Sequence, residues 1–333
     1  MNLINTKDKI YIAGRGMVGK AVKKAFLKRG YLNILNPSRE ELNLLEIMEV
    51  QKWFKKNNPE VVVITAAKVG GIFANNEYPA DFILENLKIQ NNIIETAWRF
   101  GVKRLLFLGS SCIYPKLSNQ PITEEDLLSD YLEPTNESYA IAKIAGLKLC
   151  NSLRMQYGFD AITLMPTNLY GPGDNYHIQN SHVLPSLIRK FYNAREKGLG
   201  IVSCWGSGNP KREFLYVDEL GEACVFALEK WDPDSDKSPK DKKGNKLTYL
   251  NVGTGKDISI NELASIVARE SKFTGKIIWD KSKPDGSPRK LLNVERINKL
   301  GWKNKISLKE GIKNTIKFFK KELNEDLKNS SRY

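Results

Sequence analysis

Six residues constrain this chain more than any others: Gly14-Arg15-Gly16-Met17-Val18-Gly19, placed directly after the apolar run Ile10–Ala13 and opening a helical stretch over residues 18–28. A strand ending in such a turn needs one glycine for the bend, one where the backbone must approach a pyrophosphate, and one where helix packs on strand. The first helical turn then offers unpaired N–H groups to an anion. A lone glycine pattern is weak, but this one has the strand before it and the helix after it that a dinucleotide site requires.

The first half repeats that rhythm. β-Branched and apolar runs at residues 33–35, 61–66, 104–108 and 161–165 predict strands, and the segments between them carry helical periodicity. This is the βαβ order of an α/β fold with a doubly wound parallel (Rossmann) sheet. From Asn168 onward the rhythm breaks into Gly/Pro turns and shorter elements, which predicts a second, smaller α+β unit. The expected division is residues 1–167 plus about 213–231 for the dinucleotide-binding domain. Residues 168–212 plus about 247–320 make the substrate-binding domain. The charged, apolar-poor stretch 232–246 reads as an exposed insertion that has no face to bury.

Bulk properties exclude several classes. The net charge of +14 is compatible with nucleic-acid binding, but no zinc-finger spacing or aromatic RNA-binding motif accompanies it. It reads instead as solvated lysine surface whose field helps collect anionic substrates. No apolar run approaches the roughly 18 residues needed to span a bilayer, so no membrane partner is expected. Residues 1–9 lack the apolar core of a signal peptide. Cys112, Cys150, Cys204 and Cys224 are widely spaced, with no pattern for a metal cage or a disulfide framework. A cytoplasmic, metal-free protein is therefore expected. Two predicted helices, within 81–98 and from Ser138 to about Tyr157, carry apolar residues on more than one stripe. Either both stripes are buried in one subunit, or a second copy covers one of them; a helix-mediated homodimer is the expectation.

The second strand is followed by Asn36-Pro37-Ser38-Arg39, with no acid before Arg39. NAD sites place an acid there for the ribose hydroxyls, whereas an arginine suits a 2′-phosphate, which favours NADP(H). The alternative is that Arg39 merely pairs with a neighbouring glutamate. Ser138-Tyr139-Ala140-Ile141-Ala142-Lys143 sets Tyr139 and Lys143 on one helical face. Ser110 and Ser111 follow the fourth strand, where ligands of a doubly wound sheet gather. Together they form a carbonyl redox unit: Tyr139 exchanges a proton with the substrate oxygen, the Lys143 charge lowers its pKa, and a serine hydroxyl fixes the carbonyl.

With these motifs the chain resembles the extended short-chain dehydrogenase/reductases, and within them the GDP-L-fucose synthase family. The likeness runs from about Ile10 to the last helix. It includes Ala66-Ala67-Lys68-Val69-Gly70-Gly71-Ile72, Tyr78-Pro79-Ala80-Asp81-Phe82, Leu108-Gly109-Ser110-Ser111-Cys112-Ile113-Tyr114-Pro115, Met165-Pro166-Thr167-Asn168-Leu169-Tyr170-Gly171-Pro172 and Lys283-Pro284-Asp285-Gly286. The resemblance implies NADPH-dependent epimerisation at C3 and C5 and reduction at C4 of GDP-4-keto-6-deoxy-D-mannose. A related GDP-4-keto-hexose enzyme, such as a GDP-colitose-forming one, would use the same motifs, and a non-catalytic nucleotide binder on the same scaffold is the remaining alternative. The resemblance assigns Ser110, Tyr139 and Lys143 to reduction, and Cys112 and His182 to proton transfer at the epimerised carbons. It implies that Gly14 to Gly19, Arg39, Leu108 to Ser111, Lys143, Pro166, Thr167, Asn168, Leu169 and His182 hold the cofactor. Lys190, Trp205, Arg212 and Asp285 would hold the GDP moiety. Two departures stand out: the glycine turn is one residue shorter than the usual GxxGxxG, which leaves the role of Arg15 open. Ser138 stands where a proline is common, at a position expected to cap the helix.

Overall fold

A computed structural model describes residues 2–177, 181–283 and 285–330, and the side chains of all of these except 72, 73 and 324–330. Residues 178–180 of the loop before His182, and Pro284, lie outside the described residues. In chain order the first half comprises β1 (Ile10–Ala13), α1 (Met17–Lys28), β2 (Ile34–Leu35), α2 (Ile47–Asn57), β3 (Val61–Ile64), α3 (Ile72–Glu77), α4 (Pro79–Arg99), β4 (Arg104–Leu108), α5 (Glu137–Tyr157) and β5 (Ala161–Pro166). There follow β6 (Asn168–Tyr170), α6 (Val183–Glu196), β7 (Ile201–Trp205), β8 (Lys211–Tyr216), α7 (Val217–Lys230), β9 (Tyr249–Val252), β10 (Asp257–Ser259), α8 (Ile260–Glu270), β11 (Lys276–Asp280), β12 (Arg289–Lys290), α9 (Glu295–Leu300) and α10 (Leu308–Ser330).

Every residue of β1, β3, β4 and β5 is buried, as a parallel sheet covered by helices on both faces demands. The sheet is six-stranded and parallel, in the order β2-β1-β3-β4-β5-β9. Strand order reverses between β1 and β3, and the crevice beyond their C-terminal ends is where a doubly wound sheet binds its ligand. Helix α7 returns from the second half to lie on α1: a Cβ on Gly221 would stand 2.5 Å from the Ala21 carbonyl oxygen.

A second apolar cluster is built from Leu187, Ile188 and Phe191 of α6, Leu263 and Val267 of α8, and Ile312 and Ile316 of α10. Its strands form smaller sheets. β8 pairs with β6, β10 and β12, and β7 pairs with β11. Helix α8 starts where a capping box starts it, with Ser259 Oγ accepting from Glu262 N at 3.1 Å and Ser259 N donating to the Glu262 carboxylate at 3.0 Å.

Three expectations need correction. Residues 249–252, assigned to the second unit, form β9 and extend the first sheet, with Leu250 and Val252 buried in its core. Leu292, Val294, Ile297 and Trp302 belong to that core as well. The sheet edge at β5 needs a partner, and the chain supplies one from far along its length. The stretch 232–246 is exposed along its lysines, as expected, but it has a face to bury: it is a folded hairpin with Pro233 and Ser238 buried. Finally, α5 begins at Glu137 after the 3-10 turn Pro134–Asn136, so Ser138 lies inside the helix and does not cap it.

Candidate active site

The glycine turn divides its labour. Gly14 has φ +120°, and a Cβ there would meet Thr65 Oγ1 at 2.6 Å and Ala66 N at 2.8 Å. A Cβ on Gly19 would stand 2.1 Å from the Gly14 carbonyl oxygen, so this residue sets the contact of helix against turn. Around Gly16 there is open space, with no protein atom within 4 Å of where a Cβ would stand. The same residue is the N-cap of α1, without side-chain capping, and the first turn carries no acid. Two glycines thus serve packing, and the third leaves open space beside the free backbone N–H groups of the first helical turn, which suit an anion.

The end of β2 fits a phosphorylated ribose. Asn36 stands there in place of an acid, and its amide donates to the carbonyls of Ile12 at 2.8 Å and Gly14 at 3.0 Å, pinning the turn. Arg39 is exposed and forms no ion pair among the described residues. Arg15 lies 3.8 Å from Glu41. A hydrogen bond from Ser38 holds the Glu40 carboxyl below its usual range, with Arg15 and Arg39 adding to that effect. Both guanidinium groups therefore flank one loop, and Arg39 is the one without an ion pair among the described residues. The pairing of Arg39 with a glutamate, weighed above, is not what the structure adopts.

Beyond β4 the backbone turns through Gly109, where a Cβ would stand 3.3 Å from Met165 Cγ. Ser110 is extended, and its Oγ accepts from Cys112 N at 3.2 Å. Ser111 is buried. Cys112 is the cysteine with solvent access, whereas Cys150, Cys204 and Cys224 are buried, and burial pushes the Cys150 thiol up to about 12. Lys290 Nζ stands 3.8 Å from Cys112 Sγ.

Tyr139 and Lys143 approach this turn from α5. Lys143 is buried, donates to the Leu108 carbonyl at 2.9 Å, and lies 4.8 Å from the Phe107 ring centroid and 5.9 Å from that of Tyr139. Desolvation lowers its pKa to about 8. Burial raises that of the Tyr139 phenol, Cys112 adds to the rise, and the Ser110 hydroxyl works against it. The expected lowering of the Tyr139 pKa by Lys143 is thus not seen: burial dominates, and the phenol is held protonated. Helix α5 is fixed from below, since Gln90 of α4 donates to the Ala142 carbonyl at 2.6 Å. A Cβ on Gly146 would meet Phe107 Cζ at 2.6 Å.

His182 is the N-cap of α6. Its surface is open to solvent, yet enough protein surrounds it that desolvation lowers its pKa, leaving a neutral imidazole at neutral pH. No hydrogen bond joins it to Cys112 or Tyr139. On β5 and β6, Pro166 is buried, and Thr167 N donates to the Val252 carbonyl at 3.0 Å. Asn168 Nδ2 donates to the Glu213 carbonyl at 2.8 Å, and Leu169 packs against the first core.

The expected nucleotide residues form a continuous line. Trp205, at the end of β7, is 64% exposed, with Lys190 and Lys283 each 5.6 Å from its ring centroid. Two residues on, Ser207 donates to Asp285 from N at 2.9 Å and from Oγ at 2.6 Å. Desolvation lowers the pKa of Arg212, and Cys112, Glu133 and Asp285 are the charges that act on it. Arg212 thus lies within electrostatic reach of both Asp285 and Cys112.

Several residues of this site have no motif to announce them. Lys290 owes its place to its strand β12, which pairs with β8. Asn86 clasps the loop after β3, accepting from Lys68 N at 2.9 Å and donating to the Lys68 carbonyl at 3.0 Å. Glu213, fully buried, accepts from Gly255 N at 2.7 Å and Leu292 N at 3.0 Å. Among the described residues no group of His, Cys, Asp or Glu is arranged to hold a metal ion.

The chain is similar to known proteins in sequence and in fold. The model of the NAD dependent epimerase/dehydratase family matches residues 10–240. GDP-L-fucose synthase 1 of Arabidopsis thaliana is 49% identical, over 95% of this chain and 94% of its own. GDP-L-fucose synthase of Escherichia coli (strain K12) is 48% identical, over 94% and 97%. Among solved structures, the GDP-mannoheptose C4 reductase of Campylobacter jejuni with NADP bound superposes with a TM-score of 0.83 at 38% identity, covering 95% of this chain and 99% of that one.

Proposed function

The chain belongs to the NAD dependent epimerase/dehydratase family and, within it, to the GDP-L-fucose synthases, and from that membership we propose that it converts GDP-4-keto-6-deoxy-D-mannose to GDP-L-fucose. The observation that carries the reading is the line from Trp205 through Asp285 and Arg212 to Cys112, ending at Ser110 and Tyr139. It offers a stacking face for a base, cations for a diphosphate, and two different proton-transfer groups at one end.

NADPH, when held by Gly14 to Gly19, Arg39, Lys143 and Pro166 to Leu169, supplies the hydride for C4. The chain's own residues do the rest. Cys112 and His182 remove and return the protons at C3 and C5, on opposite faces of each carbon, through an enolate whose oxygen is at C4. Ser110 hydrogen-bonds that oxygen. Tyr139, held protonated by burial, gives its proton to the C4 oxygen in the reduction. Lys143 stabilises the negative charge that develops on Tyr139.

The same reading places the enzyme in the cytoplasm as a homodimer with no nucleic-acid or membrane partner. Leu84 of α4 and Ile141, Met155 and Tyr157 of α5 are exposed, at 53%, 42%, 88% and 53%, on neighbouring helices. No described helix is long and apolar enough to cross a membrane. Incubation with NADPH and the 4-keto sugar, with NMR of the product, tests the proposal. GDP-L-fucose is expected. A product of D-manno configuration, or no oxidation of NADPH, contradicts it.

A further inference from the structure

The lysine-rich stretch 232–246 has no part in the cleft described above, yet it is built and anchored. Its tip is a tight turn, in which Asp241 Oδ1 accepts from the backbone of Lys243 and Asn245 at 2.8 Å each, and Gly244 takes φ +85°. Lys240 and Lys246 pair across it. Two contacts tie it to the body: the buried Ser238 accepts from Trp231 Nε1 at 3.4 Å, and Lys242 N donates to Glu125 at 3.0 Å. Held this way, the hairpin walls a cavity of about 460 Å³ against Glu125 on one side and α9 on the other. That volume is within the range of small-molecule sites, roughly 300–1,000 Å³.

Charge in this cavity does not cancel. Lys237, Lys240, Lys242, Arg296 and Lys299 line it, against the carboxylates of Glu125 and Glu295. Both acids are engaged already: Arg296 donates to Glu125 at 2.8 Å, and Glu295 lies 3.5 Å from Lys299. The ammonium groups of Lys237, Lys240 and Lys242 have no hydrogen bond or ion pair among the described residues. Three unpaired cations around one concavity repel one another, and a multiply charged anion relieves that repulsion. No residue of the cavity belongs to the line from Trp205 to Tyr139.

We infer that this cavity is a second binding site, for a small molecule carrying two or more phosphate or carboxylate groups. The inference is independent of the chemistry assigned to the cleft. Isothermal titration of the full chain, saturated with NADP and GDP to occupy the cleft, tests it with inorganic tripolyphosphate and with citrate as probes. One site per chain is expected for one of them, and which one identifies the class of ligand; its affinity should fall as salt rises. The variant K237E/K240E/K242E should lose affinity by about tenfold or more, with unchanged circular dichroism and unchanged kcat/KM for the keto sugar. Arg212→Ala should bind the probe as the parent does. Absence of binding by either probe, equal affinity in the triple variant, or loss of the site in Arg212→Ala would each overturn the inference.

Discussion

Tyr139 and Lys143 lie one helical turn apart, and burial moves their acidities in opposite directions. Desolvation disfavours whichever form is charged, so it raises the phenol and lowers the ammonium. The phenol therefore stays a proton donor throughout the working range, and the group that titrates there is Lys143, at about 8. The sign is clear: Lys143 is cationic below that value and neutral above it. An ammonium that stabilises developing tyrosinate is therefore lost as the pH rises. The expected result is a fall in kcat/KM for reduction on the alkaline side, with a midpoint near 8. A profile that stays flat to about pH 10, where an ordinary lysine titrates, would contradict this. At this scale Tyr139, Lys143 and Ser110 were legible because their spacing carries the chemistry by itself. Cys112 and His182 acquired roles only through family likeness. Asn36, Asn86, Glu213 and Lys290 were not legible, because each acts through contacts with residues far away in the chain.

Between elements, one tight contact near the chemistry is that of α5 with β4 and α4, at Gly146. In an isolated helix, alanine in place of glycine is favourable by about 1 kcal/mol. Here the added Cβ would meet the Phe107 ring at 2.6 Å and the Gln90 carboxamide at 2.9 Å. Phe107 is wholly buried and Gln90 is tied to Ala142, so neither neighbour can easily give way. Overpacking of this kind costs about 1–3 kcal/mol, which outweighs the propensity gain. Gly146→Ala should therefore lower stability in urea unfolding and reduce turnover by displacing Tyr139. A more stable variant would contradict that. Strand legibility followed the same logic of burial. β1 and β4 were found to the residue because continuous apolar runs flanked by polar turns leave no choice. β9 was missed because it joins the first sheet from the far side of the insertion 232–246, and periodicity does not encode which sheet a strand joins.

At the scale of the whole molecule, the site draws on elements of two apolar cores. The first brings the turn after β4 and helix α5, and the second brings α6, β7 and β8. The doubly wound sheet was legible from its first glycine turn. The way the second half returns to it through α7, β9 and α9 was not, since that depends on which edges the folded sheet leaves open. The central claim is that one cleft performs two chemistries with different side chains, proton exchange through Cys112 and His182 and carbonyl reduction through Tyr139. General acid–base groups contribute about 10²–10⁴-fold, so removing one should be plain to see. The most direct measurement is the reaction in deuterated water with NADPH, followed by NMR of the sugar, for the parent protein and for Cys112→Ala. The parent should give GDP-L-fucose with deuterium at C3 and C5 and protium at C4. Cys112→Ala should lose deuterium uptake and L-configured product by about those factors while binding NADPH as before. GDP-L-fucose made by Cys112→Ala at the parent rate, with full deuterium at both carbons, would contradict the account.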